Sequence, residues 1–225
     1  MTTIIFKIFK IFIFSKWIFN KPNKKKILIY DRVSKDFWRF FFSKNSCEIL
    51  DVRYESINIY VFLFTLFNSG IENFKDNYKK NYIKFVSPKI VFTSIDNNPA
   101  FYNLRNIYDK PFYVSVQNGM RDNTFYEQCK RYIKEKKKEL KADYIFLFGN
   151  NEKKRFSKII KAKIYCVGNI KNNFYPIQRI KKKKKKKFIM FVSTYHERDY
   201  KEAGSRFEED KKLFNFLYKF CKKKG

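Results

Sequence analysis

The chain has 225 residues, with 51 Lys plus Arg against 21 Asp plus Glu for a formal net charge of +30, and it is 44% hydrophobic and 20% aromatic. That apolar content excludes a largely disordered chain, and the length suits one domain or one domain with part of a second. Lys, Asn, Ile, Phe and Tyr, all read from A+T-rich codons, are heavily used, so coding bias accounts for most of the charge and an anionic partner is the second explanation.

Cys47, Cys129, Cys166 and Cys221 form no CxxC pair and the chain has a single His, so no zinc centre is expected. The thiols read as free, in a reducing compartment.

In the leader, 1–22, the first 20 residues are apolar but interrupted by Lys7, Lys10 and Lys16, too broken for a membrane span of about 20 apolar residues. No small-residue cleavage site follows, so the segment does not read as a secretory signal. It reads as a leader helix. One option is interfacial, with Phe, Ile and Trp17 in the headgroup region and Lys snorkelling to anionic lipid; the other is a helix packed on a core or partner.

From Ile27 onward, short apolar runs alternate with helical stretches. Strands are expected at 27–30, 48–52, 90–95, 112–116, 144–148, 164–167 and 188–192, as continuous rather than alternating runs, the pattern of strands covered on both faces. Helices are expected at 36–42, 57–67, 73–85, 99–107, 124–140 and 152–160. The alternation predicts right-handed βαβ crossovers and a doubly wound, Rossmann-like α/β parallel sheet over residues 23–178. Lys181 to Lys187 form a block of seven lysines, a solvated linker that opens a second unit at 179–225. That unit holds the 188–192 strand and an amphipathic helix carrying Phe207, Phe214, Leu217, Tyr218 and Cys221.

Open parallel sheets bind ligands outside the carboxyl ends of their strands. Polar residues gather there: Asp31 and Arg32 after the first run, Asp96, Asn97 and Asn98 after the third, Gln117, Asn118, Gly119 and Arg121 after the fourth. Gly149 and Asn150, Gly168 and Asn169, and Ser193, Thr194 and His196 follow the last three. Each residue alone could be only a helix cap or a turn former. Together, the amides and a carboxylate suit sugar hydroxyls, and Arg suits phosphate. No GxGxxG, P-loop, Asp-x-Asp or GxSxG motif occurs, which favours metal-independent group transfer over hydrolysis, with no cofactor.

The succession KKILIYDRVS, RYESIN, SPKIVFTSIDNNPAFY, YVSVQNGMRD, ADYIFLFGN and YCVGNIKNN resembles bacterial surface carbohydrate biosynthesis proteins over residues 24–195. Those proteins look like relatives of the two-domain GT-B glycosyltransferases and of polyol-phosphate transferases. The resemblance implies an acceptor-binding Rossmann-like N-terminal domain, with a nucleotide-activated donor held mostly by a second domain that this chain, ending at Gly225, would contain only in part. Transferase activity would then belong to a longer chain.

On this reading a carboxylate takes the proton of an acceptor hydroxyl while cations and amides stabilise the departing phosphate. Asp96 is the first candidate base, with Asp31 second and His196 a further base or phosphate contact. Asn97, Asn98, Gln117, Asn118, Gly119, Arg121, Gly149, Asn169 and Ser193 are the candidate substrate contacts. The expected partners are a nucleotide-sugar or similar donor, a glycan or lipid-linked acceptor and an anionic membrane surface, with the protein cytoplasmic or peripheral at the inner face of the plasma membrane. The alternatives are a basic nucleic-acid-binding protein, disfavoured because the aromatics sit inside buried strand runs, and an inactive scaffold of the polysaccharide machinery.

Overall fold

The computed structural model describes residues 15–33, 38–39, 41–53, 55–170, 172 and 205–224. The chain divides into two units, 1–176 and 177–225. In the first, strands β1 (Lys16–Ile18), β2 (Ile27–Tyr30), β3 (Cys47–Leu50), β4 (Ser56–Asn58), β5 (Ile90–Thr93), β6 (Phe112–Val116), β7 (Leu140–Leu147) and β8 (Ile160–Cys166) alternate with helices. The helices are α1 (Ile59–Ser69), α2 (Phe74–Val86), α3 (Pro99–Ile107), α4 (Asn123–Lys136) and α5 (Asn150–Phe156). The second unit contributes α6 (Ser205–Lys224), on which Phe214, Phe216, Tyr218 and Phe220 are exposed.

Six strands form one sheet in the order β3-β2-β5-β6-β7-β8, and every pairing is parallel. The expected Rossmann-like α/β class is therefore present. The chain first steps from β2 to β3 at one edge, then returns past β2 to β5 and proceeds outward to β8. Its topological switch point lies between β2 and β5.

The right-handed crossover rule explains how the faces are covered. Every connection after β3 runs in the same direction and so belongs on one face. There Leu28, Tyr30, Val91, Tyr113 and Ile145 meet Val61 of α1, Ile83 of α2, Phe101 of α3, Phe125 of α4 and Phe156 of α5. The β2–β3 connection runs the other way. It brings Trp38 and Phe42 onto Ile29, Phe92 and Val116 on the opposite face, where Ile170 also packs. Side chains thus alternate between two apolar layers along each strand, and the sequence shows unbroken apolar runs for that reason.

The differences from expectation have local causes. The helix expected at 124–140 ends at Lys136, because Lys137 adopts a left-handed backbone with φ 52°, and Leu140 already belongs to β7. The 144–148 strand extends back to Leu140 through Lys141 and Asp143, polar residues that mask its start. The helix expected from Ile57 begins at Ile59, since Ile57 lies in β4 and the Asn58 side chain caps the Val61 N–H at 3.2 Å.

Lys16–Ile18, expected within the leader helix, instead pair in parallel with Ser56–Asn58 as a separate two-stranded ribbon. Residues 1–14, residues 36, 37 and 40 of the expected 36–42 helix, the lysine block and the 188–192 strand lie outside the described residues. Among the described residues, no helix is long and apolar enough to cross a membrane.

Candidate functional site

Because the main strands are parallel, their carboxyl ends share one edge. Three of them, β2, β3 and β5, are followed within three residues by a buried Asp, and each Asp is held by an Arg from another loop. Such pairing fits their burial, since an ionised carboxylate removed from water without partners is costly.

At the end of β5, Asp96 is fully buried and accepts from Arg121 at both carboxylate oxygens, the Nε bond measuring 2.7 Å. The Asn118 N–H donates to the same carboxylate at 3.0 Å, and Arg121 also donates to Asn118 Oδ1 at 2.5 Å. Burial works against the Arg121 charge, yet hydrogen bonding and attraction to Asp96 prevail and raise its pKa. Below this cluster the Tyr102 hydroxyl donates to the Asp96 carbonyl at 2.8 Å. Burial, then the Asp96 charge, push its phenol well up.

At the switch point, Asp31 adopts φ 80°, a left-handed conformation uncommon outside glycine. One of its carboxylate oxygens accepts the Val33 N–H at 3.0 Å, and the other accepts from Arg53 Nε at 2.9 Å. At the end of β3, Asp51 receives Arg32 through two bonds of 2.8 and 2.7 Å and also accepts the Ser56 hydroxyl. The two loops therefore exchange guanidinium groups, Arg32 from the β2 end and Arg53 from the β3 end. Both guanidinium-bearing side chains remain about half exposed.

Beside the Arg32–Asp51 pair lies an open cleft of about 610 Å³, walled by Lys16, Trp17 and Ser56 of the ribbon and by Asn20, Arg32 and Glu55. Glu55 is exposed, and its carboxylate makes no hydrogen bond among the described residues.

Several expected contacts hold the scaffold. Gln117 is buried: its amide donates to Gly119 O at 2.9 Å and Glu152 at 3.3 Å and accepts the Phe148 N–H at 2.8 Å, tying the loops after β6 and β7 together. Asn98 caps α3 through the Ala100 N–H. Gly149 precedes α5 with extended backbone that any residue could adopt. Asn97 is exposed in the turn after Asp96.

Asn169 follows β8, three strand spacings, or about 14 Å, from the β5 end, so it belongs to a different part of the edge. Ser193 and His196 lie outside the described residues. The structure thus unites Asp96, Gln117, Asn118, Gly119 and Arg121, places Asp31 in the neighbouring Arg32–Arg53 exchange, and adds Asp51, Arg53, Glu55 and the ribbon residues. Their signal in the sequence was faint: Asp51 falls inside the run expected at 48–52, and only the observed end of β3 at Leu50 sets it and Arg53 beyond the strand.

Among the described residues no cluster of His, Cys, Asp or Glu could hold a metal ion. Residues 114–224 match a family model described as "putative O-antigen biosynthesis protein". The match supports involvement in surface polysaccharide biosynthesis. It takes in Gln117 to Arg121 and begins downstream of Asp31, Asp51 and Asp96. No curated protein and no solved structure matches the chain.

Proposed function

We propose that this chain serves surface polysaccharide assembly as a GT-B-like transferase component. It would bring a saccharide acceptor to the carboxyl edge of the sheet and meet the phosphates of a nucleotide-activated sugar or polyol donor. The observation that carries this reading is the row of three Asp-anchored arginines. A guanidinium fixed by a buried carboxylate needs little reorganisation to stabilise charge developing on a leaving phosphate. The half-exposed Arg32 and Arg53 supply that group, and Asn118 lies on the same edge.

The cleft suits the acceptor, with Trp17 as an apolar wall and Asn20, Ser56 and Glu55 as hydroxyl partners. A general base needs an available lone pair near the acceptor proton. Asp96 and Asp31 are buried, with Arg121 and Arg53 holding their carboxylates, whereas Glu55 is exposed on the cleft wall, so we assign the two Asp to positioning and give the base role to Glu55.

The test is thermal-shift titration of the full chain with nucleotide-activated sugars of differing base and sugar. The expected result is a saturable rise in Tm with one donor class that Arg32→Ala removes. If no donor raises Tm, or if Arg32→Ala responds as wild type, the assignment fails.

A further inference from the structure

Helix α1 shows the solvent the side that a helix normally buries. Tyr60, Leu63, Phe64 and Phe67 are exposed at i, i+3, i+4 and i+7, the spacing of a core-facing stripe. Ile71 prolongs the stripe just beyond the helix. Phe67 is 82% exposed, Ile71 81% and Tyr60 51%. The inward side carries a polar contact instead: the buried Thr65 hydroxyl donates to Val61 O at 2.7 Å and accepts from Asn81 Nδ2 at 3.1 Å. From Ile59 to Ser69 there is no charged residue. A contiguous apolar strip of this kind marks an interaction surface.

The charges at its rim identify the partner. Phe64 packs edge-on against Phe85 at 5.2 Å, and the Lys21 ammonium sits 5.3 Å from the Phe85 ring centre. Lys84, adjacent to Phe85, is exposed near the end of α2, and Lys75 is exposed near its start. Glu72 is the one acidic residue between Ile59 and Lys75. With a net charge of +30, two copies meeting through this strip would repel each other, whereas a negatively charged surface would attract it.

We propose that α1 is a docking helix for an anionic phospholipid surface. Tyr60, Leu63, Phe64, Phe67 and Ile71 enter the boundary between headgroups and acyl chains, while Lys21 and Lys84 reach lipid phosphates. The proposal stands whether or not the sheet edge transfers a sugar.

The experiment is flotation of the full chain with vesicles of phosphatidylcholine alone and of phosphatidylcholine mixed with phosphatidylglycerol. Wild type should float with the mixed vesicles, and Phe67→Glu and Phe64→Glu should each weaken binding about tenfold or more, the loss expected when one buried aromatic is replaced by a charge. Lys154→Glu, on α5, should bind as wild type, and Phe67→Ser provides a second variant should Phe67→Glu fail to fold by circular dichroism. Three outcomes overturn the proposal: no wild-type binding to the mixed vesicles, unchanged binding by folded Phe67 and Phe64 variants, or a dimer in light scattering that Phe67→Glu splits while vesicle binding persists.

Discussion

Arg121 grips both carboxylate oxygens of Asp96, joining the loop after β6 to the end of β5 across 25 residues of sequence. Both side chains are withdrawn from water, Asp96 completely and Arg121 to 10% exposure. Removing one member of such a pair leaves the other charge buried and uncompensated, at a cost of about 3–5 kcal/mol. Asp96→Asn and Arg121→Leu should therefore each lower the urea midpoint by that equivalent, with the m-value unchanged. A base without a structural role would instead give an Asp96→Asn variant as stable as wild type.

Asp31 supplies a second test at the switch point. Its φ of 80° suits Asn and Gly, and its carboxylate caps the Val33 N–H while pairing with Arg53. Asp31→Asn preserves the backbone preference and the cap, and should cost about 1 kcal/mol or less because Arg53 is half exposed. Asp31→Ala forfeits both and adds strain, so it should cost about 1–3 kcal/mol more in chemical denaturation.

What the sequence disclosed follows from which forces are local. The runs at 27–30 and 112–116 coincide with β2 and β6 because burial on both faces leaves an uninterrupted apolar signature. The β1–β4 ribbon was hidden because three residues carry no periodicity and their pairing joins segments about 40 residues apart. Helix α1 was legible as a helix, but its apolar stripe gave no warning that it faces outward, since periodicity reports a face and not what covers it. At the site, Asp96 and Arg121 were visible as strand-end residues. The Arg32–Arg53 exchange required knowing that β2 and β3 are neighbours.

The inward polar contact of α1 predicts a non-additive pair. Thr65→Val leaves the buried Asn81 amide without its hydroxyl acceptor and should cost about 1–3 kcal/mol. Adding Asn81→Leu removes the orphaned donor, so the double variant should be more stable than the sum of the single changes implies. A double-mutant cycle by chemical denaturation measures this, and strict additivity would show that the bond contributes nothing.

Thiol chemistry reads burial directly. Cys129 is wholly buried, and burial pushes its thiol up to about 12; Cys47 is also buried and raised, first by desolvation. Cys166 and Cys221 are exposed. At mildly alkaline pH a disulfide-exchange reagent should label Cys166 and Cys221 promptly and reach Cys47 and Cys129 only after denaturant is added. Prompt labelling of all four would contradict the packing of α4 on the sheet.

The tyrosines set the alkaline limit of stability. Burial raises the phenols of Tyr30, Tyr82, Tyr102, Tyr113 and Tyr126 far above their ordinary value of 10.0, and raises Tyr78 to about 12. Below pH 10 these groups are protonated whether the chain is folded or not, so they do not bias folding. As pH rises through 10 the unfolded chain sheds protons that the native state retains, the unfolded state binds fewer protons, and stability falls with pH. With several such groups in one core, the loss should be steep between about pH 10 and 12. Tyrosinate absorbance and far-ultraviolet circular dichroism followed together should change in a single transition for the buried set. Ionisation of these tyrosines while the dichroism stays native would mean that water reaches the layer between the sheet and α2, α3 and α4.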